Sequence, residues 1–334
     1  MREAHLSYLA CPECREGLKI DAVEARRGDS IEAGRLRCPS CNAAYDIVRG
    51  IPRFVPVENY ASSFGLEWTL HARTQYDSES GIDLSRRRFF EETGWGRDLR
   101  GQAILEVGSG SGRFTEQAAC TGAFVASMDY SAAVEANYRS NGGRENVLIV
   151  QGDLFAMPFS RRAFDKLFCF GVLQHTPDPR RAFACLPPQL KAGGGLVVDI
   201  YRRTFVSAYL TPKRFVRSLT RSMDPERLYR FVRRYVDFMW PLCGLIRRIP
   251  RVGPSLNWRL LVADYSRLGL RGDTLREWAY LDTFDMLSPR YDRPAALAAV
   301  RRWFHEQGLV GVEVAYGHNG IEGRGRTPGG PEAA

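Results

Sequence analysis

Apolar and polar positions alternate in blocks through the middle of this chain. Residues 102–107, 123–128, 146–150, 164–170 and 196–201 are short apolar runs bounded by glycine or charged residues, which predicts buried strands. Between them, RFTEQAAC after Gly112, SAAVEANYRS after Tyr130 and residues 182–190 space their apolar positions by three and four, which predicts helices. Strand and helix in alternation predict an α/β fold around a largely parallel sheet. Farther on, 293–307 (RPAALAAVRRWFHEQ) reads as an amphipathic helix and 309–316 as a last buried strand. The residues after 317 predict a short antiparallel edge strand, and 327–334 a disordered tail.

The stretch that organises the rest is Ala103–Phe114, AILEVGSGSGRF. A strand runs into a glycine turn and then a helix, the arrangement of a nucleotide site. Gly108, Gly110 and Gly112 can adopt positive φ and carry no side chain, so backbone can approach a ligand closely at a helix N-terminus. The dinucleotide form G-x-G-x-x-G is absent. Instead the glycines alternate after an acid, Glu106-Val-Gly108-Ser109-Gly110-Ser-Gly112, a spacing suited to a ligand without a pyrophosphate.

Ahead of this lie Cys11-Pro-Glu-Cys14 and Cys38-Pro-Ser-Cys41. Each turn directs two thiolates at a common centre, and two such knuckles on short hairpins make a tetrahedral zinc site. The alternatives are a redox pair, for which no βαβ pattern is present, or cysteines retained after loss of the metal. Cys120, Cys169, Cys185 and Cys243 are scattered singly and read as packing residues. Pro52, Pro56 and the polar 59–63 mark a linker. Phe64, Trp68 and Tyr76 then precede a helical LSRRRFFEE, either as aromatics packed on the sheet or as a flap over a ligand.

At 334 residues, 44% hydrophobic and 25% charged, the chain is long enough for a full α/β core plus a small extra domain. No apolar run reaches transmembrane length, and a Cys pair stands where a signal peptide's apolar region would be, so a cytoplasmic protein is expected. The net charge of +9 is uneven. Residues 202–259 carry one Lys and 13 Arg against Asp224, Glu226 and Asp237, a local +11 that leaves −2 for the rest.

Ala103–Phe114 resembles the first motif of the class I S-adenosylmethionine-dependent methyltransferases, with a core similar to that of quinone-biosynthesis enzymes. The resemblance implies a Rossmann-like seven-stranded sheet and S-adenosylmethionine as cofactor. It implies cofactor contacts from Glu106, Gly108, Ser109, Gly110 and Gly112, ribose hydroxyls on Asp129 with Tyr130 beside it, adenine at Asp153 and Leu154, and the methionine half along Gly171. YLACPECREGLKI and CNAAYDIVRGIPRFVP resemble the small zinc-ribbon domain of the tRNA-methyltransferase activator family, which implies a structural zinc on Cys11, Cys14, Cys38 and Cys41. In the turn after the fourth strand, His175 is the candidate base, because a neutral imidazole can accept a proton from a hydroxyl or phenol. Equally, the Gln-His-Thr-Pro turn can serve only to hold loop geometry.

Six segments follow: 1–57 zinc ribbon, 58–101 linker and N-terminal helical segment, 102–201 cofactor-binding core, 202–292 basic helical lid broken by Pro212, Pro225, Pro241, Pro250 and Pro254, 293–326 last helix and strands, and 327–334 tail. An insert at the carboxyl ends of the strands covers the ligand side of the sheet. Its arginines either solvate outer helix faces, or, around FVRRYVDFMWPLCGLIRRIP, lie in a membrane interface, or meet nucleic acid. Asp282, Asp285, Arg290 and Tyr291 are the candidate acceptor contacts at the lid's return. The acceptor expected first is a small or lipid-like molecule methylated on oxygen, carbon or nitrogen; rRNA or tRNA comes second, and a catalytically silent interaction module third.

Overall fold

In the computed structural model, which describes residues 1–56, 59, 61–204 and 212–329, the N-terminal segment is a four-stranded antiparallel sheet. Strands β1 (Lys19–Arg27), β2 (Ser30–Arg37), β3 (Ala44–Val48) and β4 (Ile51–Pro52) lie in sequence order. Burial alternates along β3, with Tyr45 and Ile47 inside, and β2 adds Ile31, Gly34 and Leu36. Their core is continuous with the larger sheet, as expected of a segment too short to bury enough surface alone. Next come α1 (Ser62–Leu70), α2 (Asp77–Ser80) and α3 (Leu84–Thr93).

The central unit alternates β5 (Ala103–Val107), α4 (Arg113–Cys120), β6 (Phe124–Asp129), α5 (Val134–Asn141), β7 (Val147–Gln151), β8 (Phe164–Cys169), α6 (Pro179–Ala184) and β9 (Leu190–Ile200). After the lid, α11 (Leu297–Glu306), β10 (Val310–Gly317) and β11 (Gly320–Arg326) complete a seven-stranded sheet in the order β10-β11-β9-β8-β5-β6-β7. This is the Rossmann-like α/β sheet expected for the class. Strands β5 to β9 are parallel, and their apolar runs are buried on both faces.

Three expectations change. The last strand does not form an edge: β11 inserts between β9 and β10 and pairs antiparallel with both, which leaves β10 outside. The strand expected at 196–201 begins earlier. The helix ends earlier, at Ala184, and β9 starts at Leu190 with a register shift between Phe164↔Leu190 and Lys166↔Gly195 that Gly193, at φ +74°, can absorb. Pro241 breaks nothing and lies inside a 23-residue helix. Residues 330–334 of the expected tail lie outside the described residues.

The lid comprises α7 (Pro212–Thr220), α8 (Pro225–Arg247), α9 (Gly253–Arg259) and α10 (Gly272–Leu287). Pro225 opens α8 behind Asp224, whose side chain accepts from the Arg227 N–H. Leu228, Val232, Val236, Tyr280 and Phe284 form a core separate from that of the sheet. The lid is tied to α1 by His71 Nε2 to the Tyr229 hydroxyl, 2.7 Å, and to the following loop by Gln75 Nε2 donating to Asp282 Oδ1, 3.4 Å.

Candidate active site and metal centre

The glycine turn is held from beneath by a buried polar network. Glu106 Oε2 accepts from Thr115 and Ser127, and Asn137 Nδ2 donates to both of those hydroxyls. Asn141 Nδ2 donates to the Gly112 carbonyl and the Tyr76 hydroxyl to the Ser111 carbonyl, 3.0 and 2.8 Å. Burial pushes the Glu106 carboxyl up to about 7. Gly108, Gly110 and Gly112 all have positive φ. A Cβ on Gly108 would run into Val172, and one on Gly110 would stand 3.1 Å from the Trp68 indole. Side chains at these positions would therefore collide with or crowd their neighbours.

Above it is a cavity of about 510 Å³, within the range of small-ligand sites. Of the expected cofactor residues, Gly108, Ser109, Gly110, Asp129, Tyr130, Asp153, Leu154 and Gly171 line it. Glu106 and Gly112 do not; both support the turn from below. Asp129 already accepts from the Gly110 N–H on Oδ2, 2.9 Å, and from the Ser131 N–H and hydroxyl on Oδ1, 2.8 and 2.7 Å. A carboxylate has about four acceptor sites, so lone pairs remain for a ligand's hydroxyls. Asp153 caps the Phe155 N–H through Oδ1, 2.8 Å.

His175 is 8% exposed and lines the same cavity between the ring edges of Phe64 and Tyr201. Its Nδ1 lies 3.0 Å from the Tyr291 carbonyl, which can only accept, so the neutral ring carries hydrogen on Nδ1 and keeps the Nε2 lone pair. Asp282 and Asp285 reach the cavity from the lid, and the Tyr201 hydroxyl donates to Asp285 Oδ2, 3.2 Å. Arg290 is exposed and outside the lining, and Tyr291 meets the site through its carbonyl to His175. Those two expected acceptor contacts sit past the end of α10, where the chain has already turned away.

Glu67 and Arg113, which line the cavity, and Asp199 beneath it escape a reading of the sequence. Glu67 is 1% exposed, and its Oε2 has no hydrogen-bond partner among the described residues. Burial, with Asp285 and Asp282 nearby, holds its carboxyl well above the usual range. Burial and Asp285 likewise push Asp282 up to about 7. A carboxylate spaced three residues from Phe64 on an apolar helix face is the available signal. Arg113 follows the last glycine and lines the cavity with no ion pair among the described residues; burial, then Arg88, lowers it to about 10, so it stays cationic. Asp199, an acid inside the apolar run LVVDI, pairs with Arg88 and accepts from the Gly171 N–H. Phe64 and Trp68 line the cavity, which makes α1 a flap over the site.

In the N-terminal segment, the Cys11–Cys14 and Cys38–Cys41 turns share one form. The Arg15 and Asn42 N–H groups return to the Cys11 and Cys38 carbonyls, 2.9 and 3.0 Å, with both residues at positive φ. The four sulfurs lie within 4.8 Å of one another, with Cys11–Cys41 at 3.6 Å and Cys14–Cys38 at 3.3 Å. Sulfurs about 2.3 Å from a tetrahedral zinc stand close to these separations, so the donor set fits that metal.

The ribbon is joined to the sheet at the end of β7. Beyond β4 the Phe54 N–H donates to the Gln151 carbonyl, 2.9 Å, and Arg53 donates to Gln151 Oε1, 2.8 Å, and pairs with Glu135. Gln151 Nε2 donates in turn to the Tyr130 carbonyl, 3.2 Å. The two loops that carry Tyr130 and Asp153 are therefore braced by the ribbon.

Residues 105–198 match the methyltransferase domain family, and residues 2–50 match the Trm112p-like protein family. The ubiquinone biosynthesis O-methyltransferase of Coxiella burnetii is 30% identical over 114 residues, 34% of this chain and 48% of that protein. The demethylmenaquinone methyltransferase of Thermobifida fusca is 33% identical over 101 residues, 29% of this chain and 43% of that protein. The chain thus spans about half the length of these curated relatives. Among solved structures, the complex between the Haloferax volcanii Trm112 methyltransferase activator and a methyltransferase aligns at 14% identity and a TM-score of 0.47, over 79% of this chain and 97% of that one.

Proposed function

We propose that this chain, which carries a class I methyltransferase domain behind a Trm112p-like domain, transfers methyl groups from S-adenosylmethionine to a small or lipid-like acceptor. The observation that carries this reading is the cavity in which the glycine turn, Asp129, Asp153 and Arg113, which has no ion pair among the described residues, face His175, Glu67 and the lid acids. When bound, the cofactor supplies a sulfonium-activated methyl group for in-line displacement. The chain's part is alignment and exclusion of water. Asp129 would take the ribose hydroxyls, Asp153 the adenine amine, and Arg113 a carboxylate; all three line the cavity.

On the acceptor side, Phe64, Tyr201 and Tyr265 give flat apolar walls, and the lid acids give hydrogen-bond acceptors. His175 Nε2 would accept the proton that an oxygen or nitrogen nucleophile loses, while its Nδ1–H stays on the Tyr291 carbonyl. Quinone-like acceptors are favoured among small molecules because two relatives named for that chemistry match the core. The four-cysteine centre would hold a structural zinc, without a part in the transfer. The test is transfer of labelled methyl from S-adenosylmethionine into separate lipid, polar-metabolite and RNA fractions, with Asp129→Ala as the blank. Label in the lipid or metabolite fraction is expected; label in RNA alone would replace this acceptor class.

A further inference from the structure

The lid's longest helix has two apolar faces where a solvated lid needs one. Leu228, Val232, Val236 and Cys243 of α8 are buried in the lid core. At 100° per residue, Phe231, Phe238, Leu242 and Leu245 fall together on an adjoining face centred roughly 115° round the helix from the buried one, and all four are exposed, Phe238 at 80% and Leu245 at 61%. The neighbouring α7 turns Phe215 and Leu219 outward, 70% and 75% exposed, and its buried residue is Thr220. Among the described residues, nine of the fourteen large apolar side chains found exposed lie between 215 and 252. Scattered exposed apolar residues are ordinary, but such a concentration marks a surface that meets something.

The charges on the same face identify the partner. Arg227 and Arg234 flank Phe231 by four and three residues, and Arg248 follows Leu245 by three. All three are exposed, and none pairs with a carboxylate among the described residues. A second copy docked through this face about a two-fold axis would set one arginine-bearing face against another. Nucleic acid would answer the arginines but leave the leucines without a role. The lid has no membrane span either, since no described helix is long and apolar enough to cross a bilayer. An anionic bilayer surface answers both features: apolar side chains sink below the headgroups while guanidiniums reach up to lipid phosphates.

We infer that the outer face of α7 and α8 docks this protein on anionic membranes, with Phe215, Leu219, Phe238 and Leu245 inserted and Arg227 and Arg234 on lipid phosphates. This surface is separate from the cavity lining and does not depend on the methyl-transfer reading. Its position on the lid would set the acceptor chamber next to the bilayer.

The experiment is co-sedimentation of the full zinc-loaded chain with vesicles of phosphatidylcholine alone or with roughly a third phosphatidylglycerol. Phe238→Asp/Leu245→Asp and Arg227→Glu/Arg234→Glu are run beside the wild type. Binding to anionic vesicles is expected, weakened at high salt, and reduced at least about tenfold by either double variant. Thermal melts should match the wild type, because every changed side chain is exposed. Three outcomes would overturn the inference: no binding to anionic vesicles, binding that Phe238→Asp/Leu245→Asp leaves intact, or a wild-type dimer in solution that the same variant dissociates. Preferential capture of RNA by a Phe238→Asp/Leu245→Asp-insensitive surface would assign the arginines to nucleic acid instead.

Discussion

The ribbon and the lid are both additions to one sheet, and they are attached in opposite ways. The ribbon turns its apolar side chains inward and shares a core with the sheet; Tyr8 stacks on Phe124 at 4.1 Å, and residues 53–54 run beside Gln151 at the sheet's edge. The lid has a core apart from that of the sheet, takes Leu66 against it and Ile82 and Leu84 against Leu275 and Trp278, adds polar contacts such as His71–Tyr229 and Tyr201–Asp285, and leaves an apolar stripe outside. A segment fused into a core transmits its own stability to that core. A segment with a private core can be altered at its surface without loosening what lies below. The ribbon therefore braces the loops at Tyr130 and Gln151, while the outer surface of the lid stands apart from that joint.

The comparison is broken most severely at the metal centre. Cys11→Ser/Cys38→Ser, or chelation, should unfold residues 1–56 and loosen the Gln151 loop, a loss of several kcal/mol, while the lid core stays protected. Limited proteolysis read by mass spectrometry checks this; early cleavage in the lid instead of the ribbon would reverse the roles assigned here. Next in size is the pH response of the lid acids. A carboxyl held above its unfolded value binds more protons when folded, so stability falls as pH rises from about 4 to about 7. Asp282→Asn should remove part of that fall, about 2–4 kcal/mol at most, raising the melting temperature at pH 8 and not at pH 4. Glu67→Gln should act in the same direction. The smallest effect is expected at the joint itself. Arg53→Ala removes the pair with Glu135 and the bond to Gln151, and should cost about 1–2 kcal/mol with a modest loss of cofactor affinity. The corresponding lid-surface change, Arg227→Ala, should leave both unchanged.

Much of this is legible because period and punctuation agree. The runs at 103–107, 124–129 and 147–151 alternate with helical spacing, and the alternating glycines name the turn that the sheet presents. The two C-P-x-C turns likewise carry their own geometry. What is not legible depends on distant chain segments. Nothing local indicates that 320–326 inserts between two strands rather than closing the edge, because that choice is made by β9. Glu67, Asp199 and Arg113 give little local sign, since each gains its meaning from a partner or a cavity far along the chain. Pro241 misleads because a long helix with two packed neighbours tolerates one missing N–H. Arg290 and Tyr291 stand out in the sequence for polarity alone, and polarity does not say which way a chain leaves a helix.

The most direct test of the central claim, that the cavity above the glycine turn is the cofactor site, is calorimetric titration of the zinc-loaded protein with S-adenosylmethionine and S-adenosylhomocysteine, repeated on Asp129→Ala. Saturable one-to-one binding of both is expected, weakened by the substitution by at least about 3 kcal/mol, roughly a hundredfold. Folded wild type that binds neither, or an Asp129→Ala protein that binds as well as wild type, would contradict it.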